Sequence, residues 1–402
     1  MSEQPITIVG AGIGGLVLGI ALQQRGKDVV IYEATEVLDE VGAGVALWAN
    51  ATRLLHRLGL EDELAEHGSE PTEIIFRDGI DGSRIASYAL TAESRYRSEF
   101  GAPYYGIHRK TLQRILAEAL KPGTIKLGHR LDRIEEIDAD TTRLHWANGF
   151  STDAEGLVVA SDGIRSGVRR WMADGLDHNI FSRTSGFRGV IPMDAIPTMP
   201  DPTATQWWVG DGAHLLHFPI GPDYKFATFL TVEEAPKVWP NPKAWRVEGT
   251  QEEALAPFEG WHPAVSEMVN AVQHTERWGL FGVGPLQSWS KGNVVLLGDS
   301  AHGLLPHHGQ GANQCMEDAF VLTEVLLEET DATLHERIKR YEDLRMDRAQ
   351  AVQKVSWVSN RLFHLPAGPE IALRDETFRN LETHLRWIHE YDAQAAVVPV
   401  SV

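Results

Sequence analysis

Cysteine is nearly absent: Cys315 is the one cysteine in 402 residues. It has no partner for an intramolecular disulfide. A single thiol also cannot build a cysteine-clustered zinc or iron–sulfur centre. Apolar runs of about 18 residues are missing, so no membrane-spanning helix is expected. Residues 1–5 are short and polar with no secretory pattern. Together with the scarcity of cysteine, this points to the cytoplasm. Basic residues are outnumbered, 37 Lys and Arg against 56 Asp and Glu, for a net charge of −19. That balance argues against nucleic acid or an anionic membrane as partner. It leaves an acidic small molecule open, because a pocket can carry a charge opposite to the mean. Internal repeats and low-complexity stretches are also lacking.

What is present is a length too great for one simple core, 43% hydrophobic residues, 37 Gly and 12 Trp. This suits a loop-rich enzyme of two domains. Ile6–Val9 is a β-branched run that ends in Gly10-Ala-Gly12-Ile13-Gly14-Gly15. A helix is predicted over 16–25, closing at Gly26, then a strand over 28–32 with Glu33 directly after it. In such an opening the first glycine permits a tight turn, the second lets a pyrophosphate approach the backbone, and the third lets helix and strand pack closely. The diphosphate sits on the helix N-terminus, and the acid accepts hydrogen bonds from ribose hydroxyls. This predicts dinucleotide binding without separating NAD from FAD.

Further along, 42–47 reads as a second small-residue turn containing Gly44 and Val45, followed by a helix over 50–58. Residues 105–109, ending in Arg109, precede an amphipathic helix over 112–120. A buried strand over 157–160 runs into Ser161-Asp162-Gly163, and another over 293–297 runs into Gly298-Asp299. Both place an aspartate and a glycine at the C-terminal edge of a strand, where open α/β sheets bind ligands. Residues 183–278 differ in character. The apolar stretches 190–193, 206–209, 214–220 and 224–232, punctuated by Pro and Gly, predict a mostly antiparallel sheet. Residues 71–100 are expected to add strands to it, and 336–354 and 370–390 are expected to be helical.

The stretches VGAGIGGL, VGAGVAL, HRKTLQRIL, ASDGIRSGVR and VLLGDSAHGLLPHHGQGANQCMEDA resemble those of the flavoprotein aromatic hydroxylases, the para-hydroxybenzoate hydroxylase fold. The likeness is closest to the smaller single-component types: salicylate hydroxylase, 3-hydroxybenzoate 6-hydroxylase and 6-hydroxynicotinate 3-monooxygenase. It implies an α/β (α+β overall) chain. A Rossmann-like FAD-binding domain (1–70, 101–182 and 279–333) would be interleaved with a mostly antiparallel substrate domain (71–100 and 183–278), ahead of C-terminal helices (334–402). The implied reaction uses NADH or NADPH and O2 to hydroxylate a small aromatic or N-heteroaromatic ring of phenolic acid, hydroxypyridine or quinolone type, through a C4a-hydroperoxyflavin. The resemblance also implies a monomer or a homodimer.

The same resemblance assigns residues. Gly10, Gly12, Ile13, Gly14, Gly15 and Glu33 would hold the ADP half of FAD, with Gly44, Val45 and Arg109 also against the cofactor. Asp162 and Gly163 would support the pyrophosphate and the nicotinamide donor, and Asp299 the ribitol. Pro306, Gly309, Gly311, Ala312 and Asn313 would wrap the isoalloxazine ring, with a helix starting near Asn313 aimed at it. Removing a ring proton needs a base, and His307 and His214 are the candidates. Both match substrate-site histidines of the 6-hydroxynicotinate enzymes. A tyrosine of those enzymes is replaced here by Phe218. Arg188, Trp208 and His308 complete the expected substrate contacts. No metal is expected: His302, His307 and His308 lack helical i,i+4 spacing and a carboxylate in register. His302 reads as structural, and Cys315 as a small buried residue. No second glycine fingerprint appears, since Gly282-Val-Gly284 leads into Pro285. The donor would therefore dock transiently at the flavin. An FAD-dependent oxidase or dehydrogenase is one alternative on this fold. A halogenase is another, but the Trp-x-Trp-x-Ile-Pro segment expected of it is missing.

Overall fold

The computed structural model describes residues 4–38, 43–91, 95–138, 140–235, 237–241 and 244–397. Its first layer is a six-stranded sheet in the order 290–291, 294–296, 158–160, 6–9, 29–32, 125–126. All neighbours are parallel except the short outermost pair at 290–296. Its central strands are runs such as Val158–Ala160 and Val294–Leu296, buried on both faces, as parallel strands between helices require. Helices Ile13–Gln24 and Gly311–Leu326 pack on it and on each other.

Three loops leave the C-terminal edge of this sheet together, and glycine permits their approach. Gly10 has φ +105°, and a Cβ there would lie 2.3 Å from the Ser161 carbonyl oxygen. A Cβ at Gly14 would lie 2.7 Å from Leu297 Cδ2 and 3.0 Å from Cys315 Cβ. The buried Cys315 thus acts as packing.

The second layer is a nine-stranded sheet in which Thr205–Gly210, Ala213–Ile220 and Phe226–Glu234 run antiparallel. Glu73–Asp78 and Arg84–Ala89 extend one edge, the former parallel to Thr205–Gly210. Two-residue alternation puts His214, Leu216 and Phe218 on one face, with Trp207 paired to Leu216 and Thr228 to Phe218. The opposite face buries Phe187, Trp208, Leu215 and Phe229 in a separate core.

Several expectations need adjustment. Over its described part, 43–47, the segment expected as a turn is not one. Gly44–Leu47 is a strand paired antiparallel to Tyr105–His108, while Gly42 lies outside the described residues. Its cause is contact with the second sheet: Gly44 N–H donates to Thr228 Oγ1 at 3.0 Å. The missing Cβ lets it press on Thr228, Ile220 and Phe218. The helix expected over 336–354 extends over Leu334–Leu362, opened by a Thr333–Glu336 capping box. The one expected over 370–390 is two helices, Glu370–Arg379 and Leu381–His389, broken at Asn380. A three-stranded sheet, Leu131–Glu136, Thr141–Trp146 and Ser151–Glu155, carried no clear signal in the sequence.

Candidate active site

Between the two sheets lies a cavity of about 290 Å³. One wall comes from the nine-stranded sheet: Trp207, Leu216, Phe218, Thr228, Arg188 and Trp278. The other comes from Gly44, Val45, Arg109, Asp299 and the loop through Pro306, His308, Gly309, Gly311 and Ala312. The loop is held from both sides. Trp48 Nε1 donates to the His308 carbonyl at 2.9 Å, and Trp207 Nε1 donates to the His307 carbonyl at 3.2 Å. Trp48 is itself stacked on His389 at 4.4 Å, so the last helix braces the site. Gly44→Val is expected to overpack this junction at a cost of about 1–3 kcal/mol and to weaken substrate binding. A thermal melt and a KM measurement check both effects.

The structure gathers most of the residues singled out from the sequence, with five exceptions. Trp208 faces the opposite core, because neighbours on a strand point to opposite faces; Trp207 takes its place on the cavity wall. Ile13 is buried in the main core, so only its backbone is available. The Asn313 side chain is spent within the protein: its Oδ1 accepts from Trp48 N–H, and its Nδ2 donates to the carbonyls of Ala46 and Gly309. Neither His214 nor His307 is on the wall. Their buried rings lie 5.2 Å apart.

Trp48, Tyr104, Leu216, Thr228 and Trp278 were missed. Leu216 was accessible from strand alternation once His214 and Phe218 were placed on one face. The others depend on pairing across the chain.

Burial governs the electrostatics. It drives His214 and His307 well below the ordinary imidazole value and His308 down to about 4. These rings are therefore neutral at neutral pH. His308 Nε2 pairs with Ser359 Oγ. Arg188 lies over the Trp278 ring at 3.4 Å. His302 pairs with Asp318 at 2.6 Å and is structural.

The residues present suit a long molecule carrying a diphosphate and a polyol. Helix Ile13–Gln24 has no side-chain cap and no acid in its first turn, which leaves its N-terminal N–H groups to an anion. Nothing lies within 4 Å of a Cβ built on Gly12. Glu33 accepts from Ala11 N–H and Thr35 N–H at 2.8 Å each, and a carboxylate retains capacity for further donors. Asp162 Oδ2 accepts from Gly167 N–H, while Oδ1 is buried without a partner among the described residues. Helix Gly311–Leu326 also starts without a side-chain cap, and its first residues line the cavity.

The family described as FAD binding domain matches residues 3–356. The chain belongs to this family. The 3-amino-4-hydroxybenzoate 2-monooxygenase of Streptomyces cremeus is 36% identical over 386 residues, covering 96% of this chain and 94% of the relative. The 6-hydroxynicotinate 3-monooxygenase of Bordetella bronchiseptica is 34% identical over 354 residues, 87% and 90% of the two chains. A solved salicylate hydroxylase substrate complex superposes with a TM-score of 0.82 at 26% identity, covering 98% and 97%. The protein is accordingly an FAD-dependent aromatic monooxygenase that draws on NAD(P)H and O2, and the alternatives are not favoured. Among the described residues no helix is long and apolar enough to cross a membrane.

Proposed function

We propose that this FAD-binding protein hydroxylates a small aromatic or N-heteroaromatic monocarboxylate that carries a ring hydroxyl or amino group. The observation that carries the reading is Arg188, a guanidinium on the wall of an otherwise largely apolar cavity. A guanidinium matches a carboxylate bidentately. Its contact with Trp278 gives it a fixed plane from which to present its donors. The three relatives described above support this, for each is named for a ring bearing a carboxylate and a hydroxyl group.

In this reading the flavin, when bound, supplies electron and oxygen transfer, and the chain supplies the rest. Gly10, Gly12, Gly14, Gly15 and Glu33 hold the ADP half, Asp162 and Gly163 the pyrophosphate, Asp299 the ribitol, and the 306–312 loop the ring. Arg188 orients the substrate by its carboxylate. Trp207, Leu216 and Phe218 exclude water from the ring. Strands Glu73–Asp78 and Arg84–Ala89 belong to the second sheet, which supports the interleaved domain division.

The test is oxidation of NADH and NADPH in air across hydroxybenzoates, aminohydroxybenzoates, hydroxypyridine carboxylates and quinolones, with product mass measured. A carboxylated ring should accelerate oxidation and gain one oxygen atom. Arg188→Ala should then raise KM roughly 10- to 100-fold, since a hydrogen bond to a charged group is worth about 1.5–3 kcal/mol. It should also abolish the preference for the acid over its amide. An unchanged acid-to-amide ratio would remove Arg188 from the carboxylate site.

A further inference from the structure

We infer that Arg246 is a capture residue for the cavity: it draws the substrate carboxylate to the open end and passes it, beside the Trp278 ring, to Arg188. The inference rests on the reading of the cavity as a carboxylate site. It adds to that reading a residue outside the wall and a direction of entry.

Burial along the cavity walls locates the open end. Tyr104, Trp207 and Phe229 are buried. Arg188, Trp278 and Leu280 line the same space and are partly exposed. A ligand entering from solvent therefore meets Arg188 and Trp278 before the buried aromatic end. Strand pairing brings a second guanidinium to the entrance. Arg246 stands opposite Trp278 where strand Arg246–Glu248 pairs antiparallel with Glu276–Val283. Gly279 N–H donates to the Trp245 carbonyl at 2.7 Å and secures that register. Arg246 Cζ lies 5.2 Å from the centre of the Trp278 ring, and Arg188 Cζ lies 3.4 Å from it. One indole thus serves two cations, the exposed Arg246 and the wall residue Arg188. Alternation along the strand turns Arg277 away from them, toward Trp239.

Charge gives such a residue a task. The chain carries a net charge of −19, and a field of that sign slows the approach of an anion. A cation at the entrance opposes the field where it matters. Arg246 pairs with Glu276 at 3.0 Å, and both side chains are close to half exposed. An ion pair so open to water is weak, so an arriving carboxylate replaces Glu276 at little cost. Contact of both guanidiniums with one ring keeps the next step short. The carboxylate leaves Arg246 for Arg188, whose plane is fixed by Trp278, and the ring of the acid then enters the apolar part of the cavity. The exchange is between ion pairs alone, and no covalent bond changes.

The test uses holoenzyme and two probes, 3-amino-4-hydroxybenzoate and its neutral amide. Flavin absorbance follows their association by stopped flow, without NADH or NADPH. Arg246→Ala should slow association of the acid about 5-fold at low ionic strength and leave its dissociation rate unchanged, as loss of a rim charge does. The deficit should close at about 1 M salt, where charges are screened beyond about 3 Å. Arg246→Lys, which keeps the charge, should restore most of the rate. Glu276→Gln should speed association of the acid, and none of these substitutions should affect the amide. Equal rates for wild type and Arg246→Ala overturn the capture. So does an equal slowing of acid and amide, because Arg246 would then only support Trp278. The two failures separate. If Arg188→Ala weakens binding of the acid while Arg246→Ala changes nothing, the carboxylate site stands and the capture falls. If wild type binds neither probe, or binds acid and amide alike, the carboxylate reading falls and the capture with it.

Discussion

Asp299→Ala is expected to empty the protein of flavin while leaving the apoprotein folded. Asp299 begins a short helical turn after strand Val294–Leu296, and the turn is anchored without its carboxylate. Leu297 N–H donates to Ser300 Oγ at 3.0 Å, and Ser300 Oγ donates to the Ala160 carbonyl at 2.7 Å. Gly298 N–H donates to Asp318 Oδ2 at 2.8 Å. Among the described residues the Asp299 carboxylate itself makes no hydrogen bond and faces the cavity. Its removal should therefore leave the melting of apoprotein nearly unchanged. Two hydroxyl groups donating to a carboxylate contribute about 1.5–3 kcal/mol each, so their loss weakens binding by roughly 100-fold or more. Flavin absorbance after gel filtration and FAD titration by fluorescence measure this. Asp299→Asn, which keeps an acceptor but no charge, should fall between. A fully yellow Asp299→Ala protein would remove this residue from the polyol site. The stabilisation that FAD gives the holoenzyme should vanish in the same variant, because ligand binding raises apparent stability by mass action.

The parts legible in the sequence share a cause. The turn at 10–15, the aspartates at 162 and 299 and the 306–312 loop each combine a local backbone requirement with a chemical one, and both constraints leave residue types at fixed offsets. His214 and Phe218 were reached through the resemblance alone, and of the two only Phe218 lines the cavity. The illegible parts are those in which chain-distant pairing decides. Trp208 was expected at the substrate although Trp207 faces it, because the parity of strand Thr205–Gly210 is set by its pairing with Ala213–Ile220 and not by its own composition. Gly44–Leu47 reads locally as a turn and becomes a strand because Thr228 and Tyr105–His108 receive it. Asn313 sits in a loop pattern suited to a cofactor, yet its amide is consumed by three backbone groups. His364 carried no signal, since its contact with His214 joins the end of a helix to a strand 150 residues earlier.

Arg345→Met is expected to cost about 3–5 kcal/mol of stability, because it leaves two buried carboxylates short of a counter-charge. Arg345, Glu317 and Asp318 are fully buried. The guanidinium reaches Glu317 at 2.6 Å and Asp318 at 2.7 Å. Arg348 shares Glu317 at 2.7 Å, and His302 shares Asp318 at 2.6 Å. The network ties helix Leu334–Leu362 to helix Gly311–Leu326 and, through Asp318 and Gly298 N–H, to the turn that carries Asp299. Some loss of FAD affinity should therefore accompany the loss of stability. The pH dependence separates this cause from simple loss of packing. Burial alone would raise the Asp318 carboxyl, but His302 and Arg345 overcome it and hold the group down to about 2, against an ordinary 3.8. A carboxylate whose pKa is depressed on folding contributes stability that is fully present above its unfolded value and is lost as pH falls through its folded value. The gap between wild type and Arg345→Met should thus be complete at neutral pH and close progressively as pH falls from about 4 to about 2. Urea melts at a series of pH values measure it. A gap that stays constant down to acid pH would assign the cost to the volume and contacts of the Arg345 side chain rather than to its charge.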